Sequence, residues 1–121
     1  MEYTTIEQSK KLFALGLNPD SADMYYFLDP TPAGSIYVPS LMHIRSRMPE
    51  YAKGDIPCWS VSGLMNLLNY PKLEKEKFDG EDMWFCECIC KKIGKFKGPA
   101  ERKQINAVYE LVIYLLENEQ L

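Results

Sequence analysis

The sequence predicts an α+β fold: one domain over residues 1–121, with a small, mainly antiparallel sheet of about three strands packed with three helices in the order α-β-β-α-β-α. Three observations predict it. Capped segments with helical spacing alternate irregularly with short apolar runs, unlike the strict strand–helix alternation that builds a parallel sheet. A composition of 46% hydrophobic and 26% charged residues is that of an ordinary globular domain. No repeat, low-complexity tract or long linker divides the chain. At 121 residues it can bury roughly two-thirds of its unfolded surface, so neither a metal nor a disulfide is needed for folding.

The first helix is capped by Thr4 or Thr5, with Glu7 or Gln8 placed to complete a capping box. Ile6, Leu12, Phe13 and Leu15 supply its apolar side, and Gly16 is placed to end it. Asn18-Pro19-Asp20-Ser21 reads as a turn. Met24 to Leu28 is a strand, apolar or aromatic on both faces. The run Asp29 to Gly34, with two prolines and a glycine, reads as a loop, and Ser35 to Val38 returns as a second strand. Residues 39–57 are bounded by prolines, carry a short helical turn across Leu41 to Ser46, and are expected to be the mobile part. Ser60 caps a second helix bearing Val61, Leu64, Met65, Leu67 and Leu68, closed by Pro71. Lys72 to Lys77 reads as a polar connection. Asp79-Gly80 makes a turn before the strand Met83 to Lys91, and Gly94, Gly98 and Pro99 make the next stretch irregular.

The last helix, about Ala100 to Glu117, has an inward stripe of Ile105, Val108, Val112 and Leu115. Leu111, Ile113, Tyr114 and Leu116 widen that stripe until the carboxyl half is apolar nearly all round. Such a helix is either buried on two sides or shared with a second copy, which makes a homodimer through it one expectation. Tyr25, Phe27, Trp59, Trp84, Phe85 and Tyr109 are the candidate aromatic core.

Several classes of function are disfavoured. The longest apolar run, Leu111 to Leu116, is far short of a membrane-spanning helix. The opening residues lack the basic and apolar stretches of a secretory signal, so a cytoplasmic location is expected. A net charge of −3 argues against a dedicated nucleic-acid binder. Six bases nevertheless gather between Lys91 and Lys103 against the single acid Glu101, and could meet phosphates weakly.

Four cysteines invite a metal or redox reading. Cys86, Cys88 and Cys90 alternate along a strand, so their sulfurs share one face. Cys86 and Cys90 would then lie about 13 Å apart, too far to share a zinc ion with ~2.3 Å bonds. Buried free thiols acting as small apolar groups are the expected state. A Cys58–His43 couple oriented by Asp55 is the one conceivable nucleophile, with Cys58 before a helix start that would lower its pKa and apolar neighbours that would raise it. Asp79, Glu81 and Asp82 lack the spacing of a calcium loop. Gly94 and Gly98 lack the ending of a phosphate loop. The amides at the Ser60 helix start could hold an anion, although Ser60 and Ser62 are expected simply to cap. No cofactor or metal site is therefore expected.

Four stretches, TIEQSKKLFALGL, SADMYYF, IPCWSVSGLMNLL and INAVYELVIYLLENEQL, cover somewhat under half of the chain. Together they resemble a family of short uncharacterised proteins of gut bacteria, their prophages and mobile elements. The resemblance implies an α+β fold and a mobile-element accessory role, and it carries over no catalytic or ligand residue. Its motif is structural: helix caps, Asp23, Trp59 and the terminal helix. The chain departs from the family in its cysteine-rich strand and at Glu119, where relatives tend to have glycine.

The sequence thus points to a small non-enzymatic interaction protein whose partner is a protein, either itself or a host factor. Tyr25, Lys95, Lys97, Tyr109, Ile113 and Tyr114 are the candidate interaction surface. Weak nucleic-acid binding through Lys91–Lys103 and cysteine-dependent or metal-binding chemistry are the alternatives.

Overall fold

Helix α1 (Ile6–Ala14) starts at Thr5, whose hydroxyl accepts from the Gln8 amide while the Gln8 side chain accepts from the Thr5 amide, completing the capping box. In this computed structural model, which describes residues 2–32, 34–41 and 55–121, the helix buries Ser9 and Leu12 and leaves Phe13 exposed. Its end is a Schellman motif: Gly16 N–H donates to the Phe13 carbonyl and Leu17 N–H to that of Leu12, with Gly16 at a φ of 97°. Asn18 then caps a 3-10 turn over Pro19–Ser21.

The α+β class and the antiparallel pairing are as expected, but the described residues form six strands in two sheets instead of about three in one. β1 (Met24–Thr31), β2 (Gly34–Leu41) and β3 (Ile56–Cys58) form the first sheet, in the order β2-β1-β3. The hairpin is longer than predicted, because β1 carries Pro30 into the ladder opposite Ser35. β3 pairs only with Met24–Tyr26, so among the described residues Pro30 lies where β1 has a neighbour on one side and a missing N–H is tolerated. β3 itself was not foreseen. Of the helical turn predicted across Leu41 to Ser46, Leu41 ends β2 and the rest lies outside the described residues, as does His43.

The second sheet contains β4 (Lys72–Phe78), β5 (Glu81–Cys90) and β6 (Gly94–Lys97), in the order β4-β5-β6. β4 replaces the predicted polar connection. Asp79 and Gly80 both have positive φ (51° and 81°), the signature of a two-residue hairpin turn, and Phe78 pairs with Glu81 across it. β6 replaces the predicted irregular stretch; its Phe96 packs inward while Lys95 and Lys97 are exposed. The chain then continues beside β5, with Trp84 and Glu101 exchanging backbone hydrogen bonds.

Helix α2 (Val61–Met65) is shorter than predicted, because Leu67 and Leu68 close it with tight turns onto Leu64 and Met65. Helix α3 (Gln104–Glu117) buries its predicted stripe of Ile105, Val108, Val112 and Leu115, and also Ala107, Tyr109, Leu111 and Ile113. It lies in one core with Leu12 of α1, Tyr25 of β1, Trp59, Leu64 of α2, and Cys86, Cys88 and Cys90 of β5. The nearly all-round apolar helix is thus buried on more than one side within a single chain, which accounts for the pattern that suggested a second copy. Its end repeats the Schellman motif, Glu119 N–H donating to the Leu116 carbonyl and Gln120 N–H to that of Leu115, with Glu119 at a φ of 54°. Glu119 occupies the left-handed position that Gly16 fills in α1. No described helix is long and apolar enough to cross a membrane.

Candidate functional site

Alternation along β5 divides its side chains between two environments. Cys86, Cys88 and Cys90 are buried, and Trp84 packs with them against the core. Met83, Phe85, Glu87 and Ile89 take the opposite face, so Phe85 is not the core residue it was expected to be. Register places Phe85 opposite Glu74, Met83 opposite Glu76, Glu81 opposite Phe78, Ile89 opposite Lys95, and Glu87 opposite both Lys72 and Lys97.

Cross-strand pairs organise this outward face. Lys97 reaches from β6 across β5 to Glu76 on β4, with Nζ 3.2 Å from Oε1, and passes 4.2 Å from the Phe85 ring centroid. Lys95 lies 3.6 Å from Glu87, and Lys72 lies 2.8 Å from Glu74, holding that carboxyl below the ordinary carboxylate value. Three lysines are thereby matched by three glutamates. The apolar members between them are only partly covered: Phe78 is 59% exposed and Ile89 48%, and Phe78 meets Phe85 with ring centroids 6.4 Å apart.

The predicted interaction surface does not assemble as expected. Tyr25, Tyr109 and Ile113 are buried in the core, Tyr25 donating its hydroxyl to the Pro19 carbonyl 3.1 Å away. They are large apolar groups that pack within the shared core. Lys95 and Lys97 do lie on the outward sheet face. Tyr114 is 39% exposed but stacks on Phe96 at 4.3 Å and 8° interplanar angle, at the seam between α3 and the second sheet. The face itself was missed because Phe78, Glu76 and Glu74 belong to a strand read as a linker. The signal that could have found it is the Asp79-Gly80 turn, which requires a strand before it as well as after.

The basic segment is partly neutralised from within. Lys95, Lys97 and Arg102 pair with Glu87, Glu76 and Glu81, Arg102 at 3.2 Å. Asp82 lies 3.9 Å from Lys75, and the acids around Gly80 are exposed. Cys58 is fully buried, donates to the Thr4 carbonyl at 3.4 Å, and has its pKa raised above the ordinary thiol value chiefly by desolvation. The amides and hydroxyl at the start of α2 do hold an anion, and it comes from the same chain. The Asp23 carboxylate accepts from Ser60 N–H at 2.9 Å and from the Ser60 hydroxyl, which in turn accepts from Gly63 N–H. A Cβ at position 63 would fall on that carboxylate, so glycine is required there by space rather than by φ.

All four cysteines are free and buried. Among the described residues no three Cys, His, Asp or Glu side chains gather as metal ligands would. Burial pushes the Cys86 thiol up to about 11 and Cys88, which also feels Cys90, to about 12. The chain matches no protein-family model, no curated protein and no solved structure.

Proposed function

We propose that this protein is a small, non-catalytic binding module that holds a protein partner against the outward face of β4-β5-β6. The reading rests on one observation: Phe78 and Ile89 are 59% and 48% exposed on a face whose lysines and glutamates already neutralise one another. Covering such a face buries apolar area at roughly 25 cal/mol per Å² while isolating no unmatched charge. Aromatic and apolar anchors surrounded by a polar rim are what protein interfaces use. An accessory role in a phage or mobile element, which the sequence resemblance implies, and a cytoplasmic location are compatible with a module of this kind, and the partner is then a host protein or a second copy.

The test compares the native chain with Phe78→Ser, Ile89→Ser in affinity capture from host lysate and in sedimentation. Both substitutions are at exposed sites, so thermal unfolding should move little. The expected result is a stoichiometric partner, or concentration-dependent self-association, that the double variant loses. A chain that stays monomeric and captures nothing overturns the reading, as does a partner retained equally by the variant.

A further inference from the structure

We propose that Cys88 and Cys90 form a two-coordinate site for a soft monovalent metal ion of the cuprous class. Their sulfurs lie 3.9 Å apart, and the residues are 2% and 4% exposed. They border a cavity of about 50 Å³ also lined by Leu67, Leu68, Leu115 and Leu121 and by the polar Asn69 and Gln120. That volume admits one ion.

Coordination number selects the ion. A structural zinc takes four ligands, and among the described residues not even three candidate side chains converge. Two buried sulfurs suit a soft, weakly hydrated monovalent ion, since thiolates select copper(I) over harder cations. Two metal–sulfur bonds of ~2.3 Å in line would set the sulfurs about 4.6 Å apart. The cavity gives the side chains room for that opening. On binding, each thiol loses its proton to solvent, two S–H bonds break and two metal–sulfur bonds form. No electron moves, because the ion enters in its +1 state. This site lies on the core side of β5 and is independent of binding at the outward face.

Silver(I) alone, redox-inert and of the same charge, is the probe. Native mass spectrometry should show one ion per folded chain, and the ion should resist competition by a weak chelator. Cys88→Ala and Cys90→Ala should each weaken binding at least a hundredfold, whereas Cys58→Ala and Cys86→Ala should leave it in place. Peptide mapping of the native chain gives a readout that needs no variant: the ion should protect Cys88 and Cys90 from alkylation during slow opening. No stoichiometric binding, protection confined to Cys58 or Cys86, or binding that survives in folded Cys88→Ala and Cys90→Ala would each overturn the proposal.

Discussion

The two sheets are the same size and pairing type but are fixed by different chemistry. Around the β3 end of the first sheet, buried polar groups stitch the layers together. The Thr4 hydroxyl bonds Ser9 at 2.8 Å and accepts from Trp59 N–H at 3.1 Å, and Tyr26 donates to the Thr4 carbonyl at 2.7 Å. Under the second sheet, three thiols and Trp84 meet the aliphatic side of α3 with few directed bonds, and the polar groups are on the outside as ion pairs. Directed bonds position the first sheet, so losing one strands its partner. Area and fit hold the second, so losing volume is what harms it.

The largest expected effect tests the second sheet. Leu111 is fully buried, and Leu111→Ala should cost about 2–5 kcal/mol in urea unfolding through the lost methyls and the remaining cavity. A loss below about 1 kcal/mol would mean that this layer collapses to refill the space. Alkaline pH probes the same layer. The thiols of Cys86 and Cys88 are raised from 9.0 to about 11 and about 12 by burial, so the unfolded chain releases those protons first. Their contribution is complete below pH 9 and is lost as pH rises through 11 and 12. Cys86→Ala, Cys88→Ala should flatten that decline, and an unchanged slope would place it elsewhere, on Cys58 and Tyr26 of the first sheet.

Thr4→Val keeps the shape of the residue at the centre of that polar network and removes its hydroxyl. It should cost about 1–3 kcal/mol, with faster amide exchange at Trp59. A neutral result would erase the contrast between the sheets. The smallest effect belongs to the outside: Lys97→Gln should change stability by about 1 kcal/mol or less and lose its dependence on salt. A double-mutant cycle with Glu76→Gln would measure the coupling between the two.

Much of the fold could be read wherever one local rule acts alone. Thr5 and Gln8 cap α1, Gly16 ends it, Ser60 caps α2, and the stripe of α3 is buried as its spacing requires. β4 was illegible because Lys-Glu alternation describes a solvated linker and a charged edge strand equally well, and only Leu73 packs against the core. Its identity resides in its register with β5, which no single segment states. The candidate site inherits that difficulty. Lys95 and Lys97 were found as charges, whereas Phe78 and Ile89 acquire meaning only once β4 and β5 lie side by side. Conversely, Tyr25, Tyr109 and Ile113 were drawn to the surface by residue type, and burial claimed them.

Residues 104–117 follow both sheets in chain order, yet the helix they form shares one core with Leu12, Trp59 and Cys86. That core closes only when a late-made segment docks on parts laid down before it, so its burial depends on contacts distant in sequence and slow to form.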